Sequence, residues 1–447
     1  MKNFAEELTN RKVYGFLIPL FLSTILTQSY SVVSAAVTGR YLDAGALSVI
    51  VACSACLAME NYICVSTTTG FGFYINRCVG SADQRRQREA LCVGALFFFL
   101  AMIAVIQIMR RLSEPVMTLA NVPDYMRENA KPYMTVILMV GGFWGLENLL
   151  IQVVEAFGES RVPALLSTVG VVLQTLVMIG LITWGGLGVE ASALAVLFLH
   201  IGRAVILIIW MLLHSSGREL LLHPCLPSRP VCSELFKNGC SKSLMMVIIG
   251  LGAFVFNRRI NTLPEDILTG YSYGQTPVDL LMSSLSACAV TAGLITGQNK
   301  ERKQLAVMRV WNRRLLISSF ILCGLYILIA LAFAPALIRL LAGTKLAAES
   351  LAAACLVFRI QALALPLVSC YMLCRNVLQS LGIYWVLPLL GGTEAVINLL
   401  FAWLLIPAFG YIAVCWSAAA KWGIPALIGL LLYFKKIQGE NCENDHS

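Results

Sequence analysis

Charged residues in this chain gather in short clusters, and between the clusters run apolar stretches of twenty or more residues. Roughly 20 residues at a rise of about 1.5 Å cross the hydrocarbon layer of a bilayer, some 30 Å thick. In that layer no water satisfies the backbone, so each crossing segment must close its own hydrogen bonds, as a helix does. The balance of residues agrees: 58% are hydrophobic and 13% charged, against about 25% charged in soluble domains. Most of the chain is therefore expected to be lipid-embedded helix.

Twelve spans are expected, at 13–37, 46–74, 89–110, 131–157, 162–184, 189–213, 237–262, 266–297, 312–334, 349–379, 383–406 and 410–434. Met1 to Lys12 is polar and carries both acids and bases, and the apolar run beyond it is too long for a signal-peptide core, so it reads as a retained first span. With the N-terminus inside, the cytoplasmic segments hold 20 Lys and Arg and the opposite side nine. Positive loops stay cytoplasmic, so both ends are placed inside a multi-pass protein of the cell membrane. The net charge of +9 follows from this topology. No basic domain concentrates the charge into a nucleic-acid footprint, so no nucleic-acid partner is expected. Most of the fifteen cysteines lie in apolar runs, where a thiol behaves as a small hydrophobe. Cys53 and Cys56 have CxxC spacing but neither a second pair nor a histidine nearby, so no metal is assigned.

The hydrophilic connection Ser215 to Leu235, with Pro224, Pro227 and Pro230, sits at the midpoint. Gly158 followed by Pro163 recurs as Gly382 followed by Pro388, and Gly188 before a small-residue helix recurs as Gly410, at separations of 224 and 222 residues. A duplication follows, with a six-helix lobe at 1–214, a cytoplasmic linker at 215–235, a second six-helix lobe at 236–434 and a cytoplasmic tail at 435–447. The fold expected is an all-α integral membrane protein of twelve transmembrane helices in two lobes related by pseudo-twofold symmetry, with a central cavity between them.

Several motifs resemble those of the multidrug and toxic compound extrusion (MATE) family over nearly the whole length. They are Gly39-Arg40 with Ala46-Leu47, Gly80-Ser81-Ala82-Asp83, Gly297-Gln298-Asn299, then Arg375, Leu378, Gln379 and Gly382, and finally Asn398, Ile406, Phe409, Gly410 and Ala413. The resemblance implies export of small cationic or amphipathic organic compounds by proton- or sodium-coupled antiport, with no other cofactor. The partners implied are the organic substrate and membrane lipid, for a monomeric chain. Three positions depart from the family pattern. Ser34 stands where many bacterial members carry an aspartate, Cys240 where a proline is usual, and Asp43 where a glycine is common. The family's best-known coupling carboxylate therefore does not transfer to this chain.

An ionisable group within the bilayer costs about 2.5–3.5 kcal/mol or more, so each needs a partner or a purpose. The candidates are Glu60, Glu147, Glu155, Glu190, Asp279 and Glu394, against Arg203, Arg359, Arg375 and Lys421. Tyr271, Gln275, Asp279, Ser283 and Ser286 recur at helical spacing and form one polar face, which Pro277 is expected to bend. If Tyr271 to Thr276 instead belongs to an external loop, Asp279 caps the helix. Glu60 and Asn61 fall in the middle of the second span, where a carboxylate loses hydration and can serve as a protonation switch; a static salt bridge to Arg203 is the alternative. Glu147, Asn148 and Gln152 serve either helix packing or substrate contact. Glu394 and Asn398 lie one turn apart on the eleventh span, with Glu394 either paired to Arg375 or open to the cavity. Phe143, Trp144, Phe254, Phe256 and Met282, as a group, supply aromatic and soft surface for flat cations.

An enzyme is not expected, because of the four histidines His200 alone lies clearly inside a span and no HExxH or GxSxG pattern occurs. The alternative retained is a lipid-linked precursor flippase of the same superfamily, against which the excess of acids argues. A scaffold or channel is permitted but not indicated.

Overall fold

The computed structural model describes residues 8–41, 58–119, 127–342 and 346–444, with some helical side chains, Ser34, Gly39 and Arg40 among them, left out. Asp43, Ala46, Leu47, Cys53 and Cys56 lie outside the described residues. Every regular element among the described residues is helical. In chain order these are α1 (Asn10–Tyr41), a π-helical turn Asn61–Val65 leading into α2 (Ser66–Gly80), α3 (Gln84–Leu119), α4 (Arg127–Ala156), α5 (Arg161–Thr183), α6 (Glu190–Leu213) and α7 (Ser215–Leu222). There follow α8 (Arg229–Ile260), α9 (Glu265–Glu301), α10 (Leu305–Ala342), α11 (Ala348–Leu363), α12 (Leu365–Ser380), α13 (Val386–Leu400), a second π turn Phe401–Leu405, α14 (Ile406–Phe409) and α15 (Tyr411–Asn444). Among the described residues nine helical segments are long and apolar enough to cross a membrane, and ten when α11 and α12 count as one broken span.

The helix α5 shows how the sequence selects lipid as solvent. Its buried stripe is Pro163, Ala164, Ser167, Gly170, Gln174 and Met178. The opposite face exposes Leu165, Val169, Val172, Leu173 and Leu176. Small and polar residues face protein while branched aliphatics face outward, the reverse of a soluble amphipathic helix. This pattern is stable only when the surroundings are hydrocarbon.

The chain forms two compact units, Met1–Leu244 and Met245–Ser447. In the first, α4 packs on α2, α3 and α6, while α5 packs on α1 and α6. Its core holds Phe71, Ile75, Leu149, Val153, Leu207 and Met211. In the second, α9 packs on α10, α11 and α12, and α15 packs on α12 and α13.

The two units repeat their turns as well as their helix order. After α4 the amide of Gly158 donates to Glu155 O and that of Glu159 to Val154 O; after α12 the amide of Gly382 donates to Gln379 O and that of Ile383 to Leu378 O. Both glycines sit at φ 81°, the left-handed helix terminus that glycine adopts without strain. The match at the next turn is looser. Gly188 and Gly410 accept equivalent amides, from Ala191 and Ala413. The positive φ in the first unit, however, belongs to Gly186, at 63° beside 59° for Gly410.

Two expectations are corrected. The stretch read as span 349–379 is broken, its halves bent by 48° at Ala364. Pro366 lies in the first turn of the second half, where its missing N–H and its ring prevent the preceding helix from continuing. The alternative that Tyr271 to Thr276 belongs to an external loop is excluded, because α9 is continuous from Glu265, so Asp279 does not cap it. The segment 215–235 forms α7 and then the start of α8, which admits Pro230 in its first turn. An ion pair and two hydrogen bonds fasten it: Arg88 meets Glu219 at 2.5 Å, and the backbone and hydroxyl of Ser228 both donate to Glu89, at 3.0 and 2.6 Å.

Candidate functional site

In the first unit the π turn ahead of α2 positions Glu60 at its start. A π turn inserts one residue and leaves carbonyls out of register with the helix ladder, a feature frequent at functional sites. Here polar side chains take up those carbonyls. Ser243 Oγ donates to Ile63 O, Thr68 Oγ1 to Cys64 O and Val65 O, and Thr69 Oγ1 to Val65 O. From α4, Asn148 Nδ2 adds contacts to Val65 O at 3.2 Å, Thr68 Oγ1 at 3.0 Å and Thr69 Oγ1 at 2.9 Å.

Glu60, so placed, is buried at 8% exposure. Its carboxylate lies against the backbone of Gly141 in α4, where any side chain would collide with it. Neither carboxylate oxygen has a well-formed hydrogen bond or ion pair among the described residues. The expected alternative, a salt bridge from Glu60 to Arg203, is absent. Asn61 begins the π turn and is half-buried.

Arg203 belongs instead to Glu147. Glu147 Oε1 lies 3.4 Å from Arg203 Nη1, and its Oε2 is bonded to Nδ1 of His200. Arg203 also donates to Leu166 O and Ser167 O, both at 3.1 Å, across the Cβ-less surface of Gly170. His200 stacks on Trp144 with ring centroids 5.3 Å apart. One buried acid thereby ties α4, α5 and α6 together. Glu155, the penultimate residue of α4, is buried at 5% exposure and has no ion pair among the described residues.

The second unit collects a different constellation. On α9, Gln275 Nε2 donates to Asp279 Oδ1 at 2.8 Å, and Tyr271 stands within electrostatic reach of Asp279. Asp279 is exposed and Tyr271 and Gln275 half-buried. On α13, Glu394 is buried and accepts a bond from Tyr371 Oη at 3.2 Å, while Asn398, one turn on, is buried beside it. Arg375 lies over the Tyr371 ring at 5.3 Å. Glu394 therefore makes no direct ion pair with Arg375; Tyr371 stands between them. The Nζ of Lys421 on α15 sits 5.8 Å from the centre of Phe256 and 4.8 Å from that of Trp422. Both Asp279 and Glu394 act on it electrostatically.

Of the residues singled out from sequence, Tyr271, Gln275, Asp279 and Glu394 join this one cluster through direct bonds or through Lys421. Glu60 stands separately in the first unit, and Glu147 is committed to Arg203. Sequence reasoning missed His200 and Tyr371 as partners, while Asn148, singled out for helix packing or substrate contact, bonds to Val65 O, Thr68 and Thr69. Phe254, grouped with the cavity aromatics, is 66% exposed, whereas Phe256 is buried against Lys421. Among the described residues no three His, Cys, Asp or Glu side chains come together as metal ligands.

Residues 19–179 match the MatE family model. That match covers a little more than a third of the 447 residues. The chain is 21% identical over 296 residues to the multidrug export protein MepA of Staphylococcus aureus (strain NCTC 8325 / PS 47), a match that covers 62% of this chain. That match spans 65% of the length of MepA, a little under two thirds. Likeness of fold to solved structures extends over nearly the whole chain. A solved outward-facing multidrug resistance MATE family transporter of the MOP superfamily aligns over 97% of this chain and 99% of its own, with a TM-score of 0.85 at 16% identity. A MOP superfamily transporter from Pyrococcus furiosus, described as having a binding pocket of reverse polarity, aligns over 98% of this chain and all of its own, with a TM-score of 0.82 at 15% identity.

Proposed function

We propose that this protein is a member of the MATE family and a secondary active transporter that exports small, cationic or amphipathic organic compounds in exchange for protons or sodium, by alternating access. The observation that carries the reading is Glu60, a buried carboxylate with no fixed basic partner among the described residues, seated at the start of a π turn. An acid that is desolvated and unpaired is neutral or bears a bound cation at rest, and its charge changes when water reaches it. A purely architectural acid would resemble Glu147, which two bases hold in place. Glu60 with Asn61 serves as the coupling site of the first half. Tyr271, Gln275, Asp279, Glu394 and Asn398 line the polar surface of the second. Glu147 holds helices together.

The same reading takes the chain as a monomer of twelve spans in the cell membrane, with both termini in the cytoplasm. Its lobes are 1–214 and 236–434, joined by 215–235 and followed by the tail 435–447. Accumulation of a fluorescent cationic dye in vesicles, with and without the protein and under separately imposed pH and sodium gradients, tests the proposal. Gradient-dependent export supports it, and dye movement indifferent to both gradients contradicts it.

A further inference from the structure

Where α1 begins and α4 turns into α5, the first unit holds a cavity of about 370 Å3, within the range of roughly 300–1,000 Å3 that suits a small ligand. Arg11, Lys12 and Gly15 of α1 form one wall, and Glu159, Ser160 and Arg161 of the turn form the other. The walls are fastened together, because the buried hydroxyl of Ser160 donates to Phe16 O at 2.7 Å. Three positive side chains share the cavity with one acid, and that acid is committed: Glu159 Oε1 accepts the Arg161 amide at 2.9 Å. Arg11 and Arg161 are exposed and meet no carboxylate at ion-pair distance among the described residues. The space beside Gly15 is open, since a Cβ there would meet no atom of a neighbouring element within 4 Å.

The surroundings decide what kind of anion fits. The apolar span Lys131–Ala156 ends and the span Arg161–Thr183 begins at this cavity, which places it at the level of lipid headgroups. On α1 the residues Arg11, Gly15, Ile18 and Leu22 follow one another at helical spacing and share one face. On α5 the residues Arg161, Leu165 and Val169 do the same. Ile18, Leu22, Leu165 and Val169 are all more than half exposed, and α1 packs on α5. Each helix thus carries a stripe that starts at a guanidinium in the cavity and continues as bare aliphatic surface along the span. A free anion has no use for such stripes, whereas acyl chains lie on them. We propose that this cavity is a binding site for the headgroup of an anionic phospholipid, with Arg11 and Arg161 holding its phosphate. Guanidinium groups present paired N–H donors that match phosphate oxygens. Lys12 leaves the site positive after one phosphate charge is met, which favours an anionic headgroup over a zwitterionic one whose ammonium would be repelled.

The site is independent of the antiporter reading, so the test reads binding alone. Purified full-length protein in a neutral detergent is mixed with dioctanoyl phosphatidylglycerol, dioctanoyl phosphatidylcholine or inorganic phosphate at constant ionic strength. Native mass spectrometry counts the bound ligand, and the rise in thermal midpoint follows its affinity. Phosphatidylglycerol is expected to bind saturably and at least about tenfold more tightly than phosphatidylcholine. Arg11→Gln/Arg161→Gln is expected to weaken that binding by about tenfold or more. Arg218→Gln/Arg229→Gln, which removes exposed basic residues outside the cavity, is expected to leave it unchanged. Gly15→Leu keeps every charge, suits a helix better than glycine does and fills the open space, so it is expected to lose binding without a fall in its lipid-free midpoint. The arginine pair, whose side chains are exposed, keeps the test decisive if Gly15→Leu does not fold. Equal affinity for phosphatidylcholine, undiminished binding by folded Gly15→Leu or by Arg11→Gln/Arg161→Gln, or an equal loss in Arg218→Gln/Arg229→Gln each overturns the proposal. Inorganic phosphate that binds as tightly as phosphatidylglycerol overturns it too, by making the cavity a site for a free anion.

Discussion

Ala82 and Lys303 stand 221 residues apart and hold the same left-handed backbone conformation, at φ 58° and 56°. Each ends a turn closed by equivalent bonds: Ala82 N to Val79 O and Asp83 N to Cys78 O in one unit, Lys303 N to Lys300 O and Gln304 N to Asn299 O in the other. A side chain in this conformation costs about 1–2 kcal/mol relative to the right-handed one. The strain is therefore a repeated property of the fold.

Replacing either residue by glycine is expected to relieve that strain. Ala82→Gly and Lys303→Gly should each stabilise the protein by about 1 kcal/mol, less the added chain entropy of glycine. Thermal denaturation of the purified variants checks this, and a fall in both midpoints contradicts it.

Gly141 leaves room for Glu60. A Cβ at position 141 would lie 2.5 Å from Glu60 Oε2, inside contact distance, so Gly141→Ala must push the carboxylate aside. Gly141→Ala should destabilise, and Glu60→Ala/Gly141→Ala should be non-additive by about 1 kcal/mol or more in a double-mutant cycle. Strict additivity would mean that the two residues do not touch.

Asn148 clasps the π turn from α4. Asn148→Ala removes its bonds to Val65 O, Thr68 and Thr69. The expected loss of stability is about 1–2 kcal/mol, moderated because Thr69 still donates to Val65 O. Chemical denaturation measures it, and the Thr69→Val/Asn148→Ala pair should lose more than the sum of the single changes.

Glu147 neutralises a guanidinium that has no other acid among the described residues. Glu147→Ala strands Arg203 and should cost about 3–5 kcal/mol. Glu147→Ala/Arg203→Met should recover most of that loss, since the buried charge leaves with its partner. Measured midpoints for the three variants decide the point.

How much of this was readable in the chain depends on how local each feature is. Apolar runs between charge clusters located the helices, because a span must bury its own backbone whatever surrounds it. The duplication was readable from Gly158 and Gly382, since a left-handed terminus constrains one residue type at one place. The break at Ala364 went unnoticed because Pro366 lies amid an apolar run that reads as continuous. The partners of Glu147 depend on the rotation of α4 against α6, which brings together residues 53 positions apart. Hydropathy carries no information about that rotation. The same holds for Lys421, where sequence showed a base but not the Phe256 and Trp422 rings beside it. Asp83, by contrast, was placed by a local motif, and its carboxylate accepts the amide of Arg86 at 3.0 Å at the start of α3.

The most direct measurement is dye export by the Glu60→Gln variant in proteoliposomes under an imposed pH gradient, with Glu60→Asp alongside. Glutamine keeps the volume and removes the exchangeable charge. The account predicts that gradient-driven export falls to the protein-free level in Glu60→Gln and is partly kept in Glu60→Asp, with thermal midpoints close to wild type. Undiminished export by a folded Glu60→Gln protein would contradict it.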